Sequence, residues 1–192
     1  MASIVPQLRA DRTWYIVDAG STDGTWERVE AAALLHPTVT AVRHIRKSKV
    51  LTRGAGRRMA ASLASSDILV HSIDADIVYE TDAIERIAQE FRVGGGAPVA
   101  GDGYCAVSDL DYWAVDGHDV RLQVGEDLDL YRRLQEAGLQ FRTKVVGAQV
   151  AHLKAGSCQV CRGTTRAPIM GRTSTLNPEP CDACRATGWA AR

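Results

Sequence analysis

The chain has 192 residues, of which 45% are hydrophobic and 24% are charged, and this composition is typical of a globular protein with a buried core. Its 23 basic residues balance 23 acidic ones, which excludes strong non-specific attraction to nucleic acid or to an anionic membrane. The apolar runs are far shorter than the roughly 20 residues that a membrane span needs, and no basic segment precedes an apolar secretory core. We therefore expect a cytoplasmic protein without a membrane span.

Strands and helices alternate in the first third of the chain. Residues 14–17 form a short apolar run before an Asp-Ala-Gly segment, which predicts a buried strand and then a tight loop. A helix follows, with Thr25 as its predicted N-cap and Pro37 as its stop. Residues 38–45 predict the next strand, and residues 53–64, rich in alanine and arginine, predict a second helix.

The same alternation continues to about residue 107. Residues 68–73 are mostly apolar and predict a strand that ends close to two aspartates. Asp82 and Glu85 have the spacing of a capping pair and predict the start of a third helix. The glycines at 94–96 mark a turn, and residues 98–107 predict a further strand.

The last third of the chain contains one helix and then a change of composition. Residues 126–137 predict a fourth helix with Gly138 as its C-terminal cap, and residues 141–151 supply one or two closing strands. Strands that alternate with helices predict an α/β fold, with a mostly parallel sheet flanked by helices on both faces. From residue 156 the apolar periodicity ends. We therefore divide the chain into a domain at 1–155 and a small appendage at 156–192.

Aspartates stand at the ends of two predicted strands. Asp18 follows the first strand, and Asp74 and Asp76 follow the strand at 68–73. Ligands of such sheets bind beyond the carboxyl ends of the strands. Because Asp74 and Asp76 are two residues apart on an extended backbone, both side chains point the same way and can share one cation, for which carboxylates favour Mg²⁺ or Mn²⁺. The alternative is that both are ordinary turn residues.

Two further acids, Glu126 and Asp127, open the fourth predicted helix. Acids in the first helical turn complement the helix dipole, which explains them without any catalytic role. Their chemical interpretation therefore depends on the other motifs.

Five motifs in a fixed order resemble the family 2 glycosyltransferases, which have the GT-A fold. They are the VDAGSTDGT segment at 17–25, the basic glycine-containing RGAGR at 53–57, DILVHSIDAD at 67–76, GHD at 117–119 and EDLDL at 126–130. The resemblance extends from about residue 14 to 157, or about three-quarters of the chain. It implies a GT-A-like domain and a metal-dependent, inverting transfer of a hexosyl group from a nucleoside-diphosphate sugar to an acceptor.

The resemblance also implies roles for the acids. Asp18 would lie against the nucleotide, Asp74 near the ribose, and Asp76 on a Mn²⁺ or Mg²⁺ ion that bridges the diphosphate. Asp127 would be the general base that takes a proton from the acceptor hydroxyl. Glu126 is the alternative base, or it orients the acceptor.

One histidine and two arginines are further candidate residues of this predicted site. His152 matches a position where the family carries a histidine that reaches the metal or the diphosphate, although a half-buried histidine bonded to backbone is the plain alternative. Arg53 and Arg57 could contact phosphates from the start of their helix, although surface arginines need no ligand.

The family's usual first strand, which forms one wall of the nucleotide pocket, is missing from residues 1–12. A shortened domain, completion of the pocket by a partner protein, and a degenerate noncatalytic scaffold all remain open. A nucleotidyltransferase on a similar sheet is a further alternative, which explains the helix at 126–137 less well.

The appendage carries four cysteines in two C-x-x-C pairs, and the pairs are 19 residues apart. This spacing is typical of a tetrahedral four-cysteine zinc site, so we predict that Zn²⁺ is held by Cys158, Cys161, Cys181 and Cys184. The repeated C-x-x-C-R pattern resembles the cysteine-rich domain of J-domain co-chaperones. The appendage carries too little charge to require a nucleic-acid partner. Cys105 stands apart and is predicted to be a small buried residue.

Overall fold

A computed structural model describes residues 1, 3–44, 51–71, 77–101, 104–143 and 151–152. Asp74, Asp76 and the four cysteines of the appendage lie outside these residues, so the predictions made for them stay predictions. The chain divides into two units, one with residues 1–74 and 79–148 and the other with residues 75–78 and 149–192.

Helices and strands alternate along the described chain. The helices are α1 (Thr25–Leu35), α2 (Arg53–Leu63), α3 (Ala83–Val93), α4 (Asp109–Ala114) and α5 (Glu126–Glu136). The strands are β1 (Trp14–Asp18), β2 (Val39–Arg43), β3 (Ile68–His71), β4 (Ile77–Val78), β5 (Val99–Gly101), β6 (Tyr104–Ser108), β7 (Arg142–Thr143) and β8 (Ala151–His152). The sequence therefore predicts every one of these helices except α4.

The strands form small sheets of mixed direction. In the first unit β1 and β2 pair in parallel, and a second sheet has the order β3-β6-β5-β7. In that sheet β6 runs antiparallel to both β3 and β5, and only β5 and β7 are parallel. The expectation of a mostly parallel sheet is therefore not met among the described strands. The physical reason is that two residues separate β5 from β6, whereas a parallel pair needs a crossover of a dozen or more.

The other unit contributes one described strand pair. Here β4 and β8 are antiparallel, and Ile77 lies opposite His152.

Helices cover both faces of the four-stranded sheet, as the sequence predicts. On one face, α3 packs against the sheet through a cluster of Ile87, Phe91, Val99, Tyr104 and Ala106. On the other face, α4 and α5 pack against it through Leu69, Val107, Tyr112, Leu130 and Leu134. Alternate residues of β6 enter the two clusters because successive side chains of a strand point to opposite faces.

Asp82 is at the N-cap position of α3, as predicted, whereas the N-cap predicted for α1 is one residue too late. The N-cap of α1 is Gly24, at φ 83°, and not Thr25, whose backbone N–H donates to the carboxylate of Asp23 at 3.1 Å. At α3, Asp82 makes no side-chain capping bond. Instead, Gln7 accepts the backbone N–H of Ile84 through Oε1 at 3.0 Å.

Gln7 belongs to a 3-10 helix at Val5–Gln7, within the segment that lacks the family's usual first strand. Its amide Nε2 also donates to the carbonyl of Glu80 at 2.6 Å, and its side chain is buried. The acid Glu85, predicted as the second member of the capping pair, forms an ion pair with Arg12 instead. The start of α3 is therefore capped by a residue 77 positions away from Ile84 in the chain.

Two smaller predictions are confirmed. Gly138 follows α5 with φ 91°, the left-handed conformation that a C-terminal glycine supplies. Cys105 is fully buried in β6, and burial raises the pKa of its thiol to about 12, so it is protonated and inert at neutral pH. Among the described residues, no helix combines the length and the apolar character that crossing a membrane would require.

Candidate active site

The two acids that open α5 share one cation from α2. Arg57 Nη1 lies 2.9 Å from Glu126 Oε1 and also contacts Asp127 Oδ1. The Glu126 side chain is 3% exposed, whereas 29% of the Asp127 side chain is exposed. Of the two predicted catalytic acids, Glu126 is therefore a buried anchor for Arg57 and Asp127 is the one that reaches the surface.

A fully buried histidine contacts the same oxygen of Asp127 as Arg57 does. His118 Nε2 lies 3.2 Å from Asp127 Oδ1, and its Nδ1 lies 2.9 Å from the hydroxyl of Tyr112. That hydroxyl also accepts the backbone N–H of His118 at 3.2 Å. In the tautomer that carries the ring proton on Nε2, the hydroxyl donates its own proton to Nδ1 and the imidazole donates to the carboxylate. Tyr112, His118 and Asp127 thus form a directed chain of hydrogen bonds.

His71, the last residue of β3, completes the cluster. Its ring centroid lies 4.9 Å from that of His118 and 5.7 Å from that of Tyr112. One nitrogen from each histidine and a carboxylate oxygen of Asp127 all lie within 4.8 Å of one another. Burial, together with the neighbouring His118 and Arg57, lowers the pKa of His71 to about 3 against the opposing effect of Asp127. His71 is therefore a neutral imidazole at neutral pH.

The segment that carries His118 is held against α5. Arg133 Nη2 donates to the carbonyl of Gly117 at 2.6 Å, and its Nη1 donates to the carbonyl of Val115. Asp129 in turn lies 2.8 Å from Arg133 Nη2. Gly117 has φ 58°, and a Cβ there would lie 2.6 Å from the ring of Tyr112. Glycine is required at this turn because the ring of Tyr112 occupies the space that a side chain at position 117 would need.

A close approach of α2 to the loop after His118 positions Arg57. Thr52 caps α2 by accepting the N–H of Ala55 at 3.1 Å, and it donates to the carbonyl of Val120 at 2.5 Å. The N–H of Gly54 donates to the carbonyl of Leu122 at 3.0 Å, and a Cβ on Gly54 would collide with the backbone carbonyl of Asp119. Gly54 of the RGAGR motif thus lets α2 lie close to the backbone of this loop.

Asp18 belongs to a second set of contacts at the end of β1. Asp18 is 5% exposed, and its carboxylate accepts the backbone N–H groups of Gly20 at 2.9 Å and Ser21 at 3.1 Å. Arg43 Nε of β2 lies 3.5 Å away. Burial raises the pKa of Asp18, but the hydrogen bonds from Ser21 and Gly20 and the charge of Arg43 outweigh burial, so its pKa lies below 3.8. Asp18 is therefore ionised at neutral pH, and its carboxylate holds the loop that follows β1 by hydrogen bonds to Gly20 and Ser21.

The remaining predicted residues are only partly described. The Arg53 side chain is exposed, and its backbone N–H donates to Gln123 Oε1 at 3.2 Å. His152 is described in its backbone only, opposite Ile77. Asp74 and Asp76 lie outside the described residues. Arg57, considered for phosphate contact, contacts the carboxylates of Glu126 and Asp127.

Sequence reasoning did not single out His71 or Tyr112. The available signal for His71 was a histidine inside an otherwise apolar strand, three residues before Asp74. Tyr112 lies on the unpredicted helix α4, so no pattern pointed to it.

Both the fold and the comparisons place the chain in the class of GT-A-like α/β proteins. The structure is similar to that of the mannosyltransferase PcManGT from Pyrobaculum calidifontis, solved with GDP-Man and Mn²⁺, at a TM-score of 0.64 and 17% identity. The match covers 74% of this chain and 49% of that one, so the chain spans about half the length of that protein.

Two structures of Drosophila β1,4-galactosyltransferase 7 are more distant. The catalytic domain with xylobiose gives a TM-score of 0.42 at 12% identity, and a mutant with manganese, UDP-Gal and xylobiose gives 0.40 at 10%. Each match covers 83% of this chain and 77% of the other.

The family model described as glycosyl transferase family 2 matches residues 1–163. The chain therefore belongs to glycosyltransferase family 2. No curated protein matches its sequence.

Proposed function

We propose that this domain transfers a sugar from a nucleoside-diphosphate sugar to an acceptor hydroxyl, with Asp127 as the general base. The observation that most supports this role is the contrast between two adjacent acids. Glu126 is buried against Arg57, whereas Asp127 keeps 29% of its side chain exposed while His118 and Arg57 contact one of its oxygens. A carboxylate that is held through one oxygen and remains partly exposed suits a general base that must contact a substrate hydroxyl.

The proposed step is a single inverting displacement. The acceptor oxygen attacks the anomeric carbon and passes its proton to Asp127, while the bond from that carbon to the diphosphate oxygen breaks. The electron pair of this bond leaves with the nucleoside diphosphate. His118 and Arg57 act as positioning residues, because a carboxylate held by two donors loses little freedom when the acceptor binds.

The divalent ion implied for the family would be held by Asp76, with His152 as a further ligand. Carboxylate oxygens are ligands that Mn²⁺ and Mg²⁺ prefer, so this donor set fits such an ion. The ion would neutralise the charge that develops on the leaving diphosphate. The Mn²⁺ in the mannosyltransferase structure is consistent with this choice.

For the nucleotide we propose two direct contacts and one supporting role. Asp74 binds the ribose, and the exposed Arg53 reaches a phosphate from the start of α2. Asp18 contributes by shaping the loop at 19–21, because its carboxylate oxygens accept backbone N–H groups of that loop. A protein partner that completes the nucleotide pocket fits the same proposal.

The appendage at 156–192 is proposed to bind Zn²⁺ through Cys158, Cys161, Cys181 and Cys184. The support is the paired C-x-x-C spacing alone. Zinc would stabilise a segment that is poor in apolar residues, and it would leave a small surface for recognising an acceptor.

The proposal is tested by nucleotide release from a panel of UDP- and GDP-sugars with Mn²⁺. We expect Asp127→Asn to lower the rate by about 100- to 10,000-fold, because this is the usual contribution of a general base. Glu136→Gln, at the exposed end of the same helix, is the matched control and should keep the wild-type rate.

Thermal shifts measured with the same panel of sugar nucleotides distinguish a loss of catalysis from a loss of nucleotide binding. Asp127→Asn should keep the nucleotide-dependent shift, whereas Asp76→Ala should lose it, because a ligand that binds the native state stabilises it. Equal rates for the wild type and Asp127→Asn would overturn the assignment of the base. A wild type that shows no shift with any nucleotide would favour the noncatalytic scaffold.

A further inference from the structure

The cluster around Asp127 contains metal-binding donors from three separate elements. His71 ends β3, His118 follows α4, and Asp127 lies in the first turn of α5. One donor atom from each lies within 4.8 Å of the other two. The 3.2 Å between His118 Nε2 and Asp127 Oδ1 allows one ion to lie about 2.1 Å from both atoms, the usual Zn–N and Zn–O distance.

The charges of the cluster favour an added cation. Glu126 and Asp127 carry two negative charges, and Arg57 offsets one of them. A neutral imidazole supplies a nitrogen lone pair without adding charge. A divalent ion would offset the remaining negative charge, and Arg57 would stay on the buried Glu126, 2.9 Å away.

Tyr112 is placed as an outer-shell partner of this site. In metalloproteins a ligating histidine donates its other ring N–H to a fixed acceptor, which orients the ring. The Tyr112 hydroxyl lies 2.9 Å from His118 Nδ1 and can accept that proton when Nε2 binds an ion. Arg133 holds the same segment through the carbonyl of Gly117.

From these contacts we propose that His71, His118 and Asp127 form a site for one divalent transition-metal ion such as Zn²⁺ or Co²⁺. Two imidazoles and one carboxylate favour these ions over Mg²⁺, which prefers oxygen ligands. The site differs from the one implied at Asp76. Because Asp127 is also the proposed base, an ion bound here would block the transfer reaction, and this consequence rests on the proposed function.

Calorimetric titration with Co²⁺ tests the site without any sugar nucleotide. The parent for this test is the 192-residue chain with Asp76→Asn and with serine in place of Cys158, Cys161, Cys181 and Cys184. These changes remove the other two predicted sites. We expect one Co²⁺ per chain and a visible absorption spectrum of nitrogen and oxygen ligation.

Substitutions in this background identify the ligands. Loss of an outer-shell partner usually lowers metal affinity about 10- to 100-fold, so we expect that range for Tyr112→Phe and at least about 100-fold for His71→Gln and Asp127→Asn. The exposed His36 lies after α1, and His36→Gln should leave the affinity unchanged. Circular dichroism and thermal unfolding confirm that each variant is folded.

Two results would overturn the site: no Co²⁺ binding by the parent chain, or binding that is as tight in folded His71→Gln and Asp127→Asn as in the parent. Neither measurement uses a sugar nucleotide, so a chain that fails to transfer sugar can still bind Co²⁺. A chain that transfers sugar but does not bind Co²⁺ refutes only the metal site.

Discussion

Arg57 Nη1 lies 2.9 Å from Oε1 of Glu126, a carboxylate whose side chain is only 3% exposed. This pair joins α2 to the first turn of α5 and places the guanidinium against Asp127 as well. The contact therefore has two effects. It compensates a buried charge, and it fixes the acid that we propose as the base.

Arg57→Met should destabilise the protein by about 3 kcal/mol, since removing one partner of a buried ion pair leaves the other charge uncompensated. Urea unfolding measures the change. Arg58→Met is the control on the same helix, because Arg58 pairs with Asp116, whose side chain is 84% exposed. That variant should cost about 1 kcal/mol or less. Equal losses of unfolding free energy in the two variants would mean that Arg57 does not compensate the buried charge of Glu126.

The two glycines of α2 should respond in opposite directions to alanine. Gly54→Ala places a methyl group against the carbonyl of Asp119 and should cost about 1–3 kcal/mol, the usual range for overpacking. Gly56→Ala meets only Leu51 Cδ2 at 3.6 Å, an ordinary contact, and should stabilise the helix by about 0.5–1 kcal/mol. Chemical denaturation of both variants checks the sign. A stabilising Gly54→Ala would show that the helix does not approach the loop this closely.

Arg133 should matter far more than its neighbour Arg132. Arg133→Met removes the donors to the carbonyls of Val115 and Gly117, and leaving such groups without a partner usually costs about 1–3 kcal/mol. Arg132 is 59% exposed and pairs with Asp129 and Glu136, so Arg132→Met should cost about 1 kcal/mol or less. Thermal unfolding of the pair gives the comparison, and a similar melting temperature for both variants would contradict the loop-clamping role.

The contribution of Asp18 to stability should disappear in acid. Its folded pKa lies below the ordinary 3.8, so the unfolded state binds more protons in the window between the two pKa values. The stabilisation is therefore fully present above pH 3.8 and is lost as pH falls through the lower, folded value.

The test compares the free energy of unfolding of the wild type and Asp18→Asn as a function of pH. We expect Asp18→Asn to be less stable near neutral pH and the difference to shrink on acidification. Asp11→Asn, an exposed acid in the loop before β1, is the control for general charge effects. A difference that stays constant down to the acid limit would show that the Asp18 contacts do not depend on its charge.

Much of the secondary structure was predictable because its signals are local. The helix at 53–64 corresponds to Arg53–Leu63, and the one at 126–137 corresponds to Glu126–Glu136. Composition and apolar spacing of the helix itself produce such signals. Helix α4 was missed because its six residues are too few to show a helical repeat.

The caps show where local reasoning fails. Asp82 and Glu85 have the spacing of a capping pair, yet Gln7 caps α3 and Arg12 binds Glu85. Each of these partners comes from the N-terminal segment. A spacing rule compares residues within one turn and cannot include a competitor from another part of the chain.

The sequence by itself determined four of the five described helices, the family, and the position of Glu126 and Asp127 at the start of a helix. Only the tertiary structure decided that Arg57 and His118 contact Asp127, that the four-stranded sheet is mixed, and that His71 joins the same cluster. Arg57 and Asp127 lie on two helices that are far apart in the sequence, so no spacing pattern in the sequence links them. Their contact arises because Gly54 lets α2 approach the loop before α5, and that proximity exists only once the chain has folded.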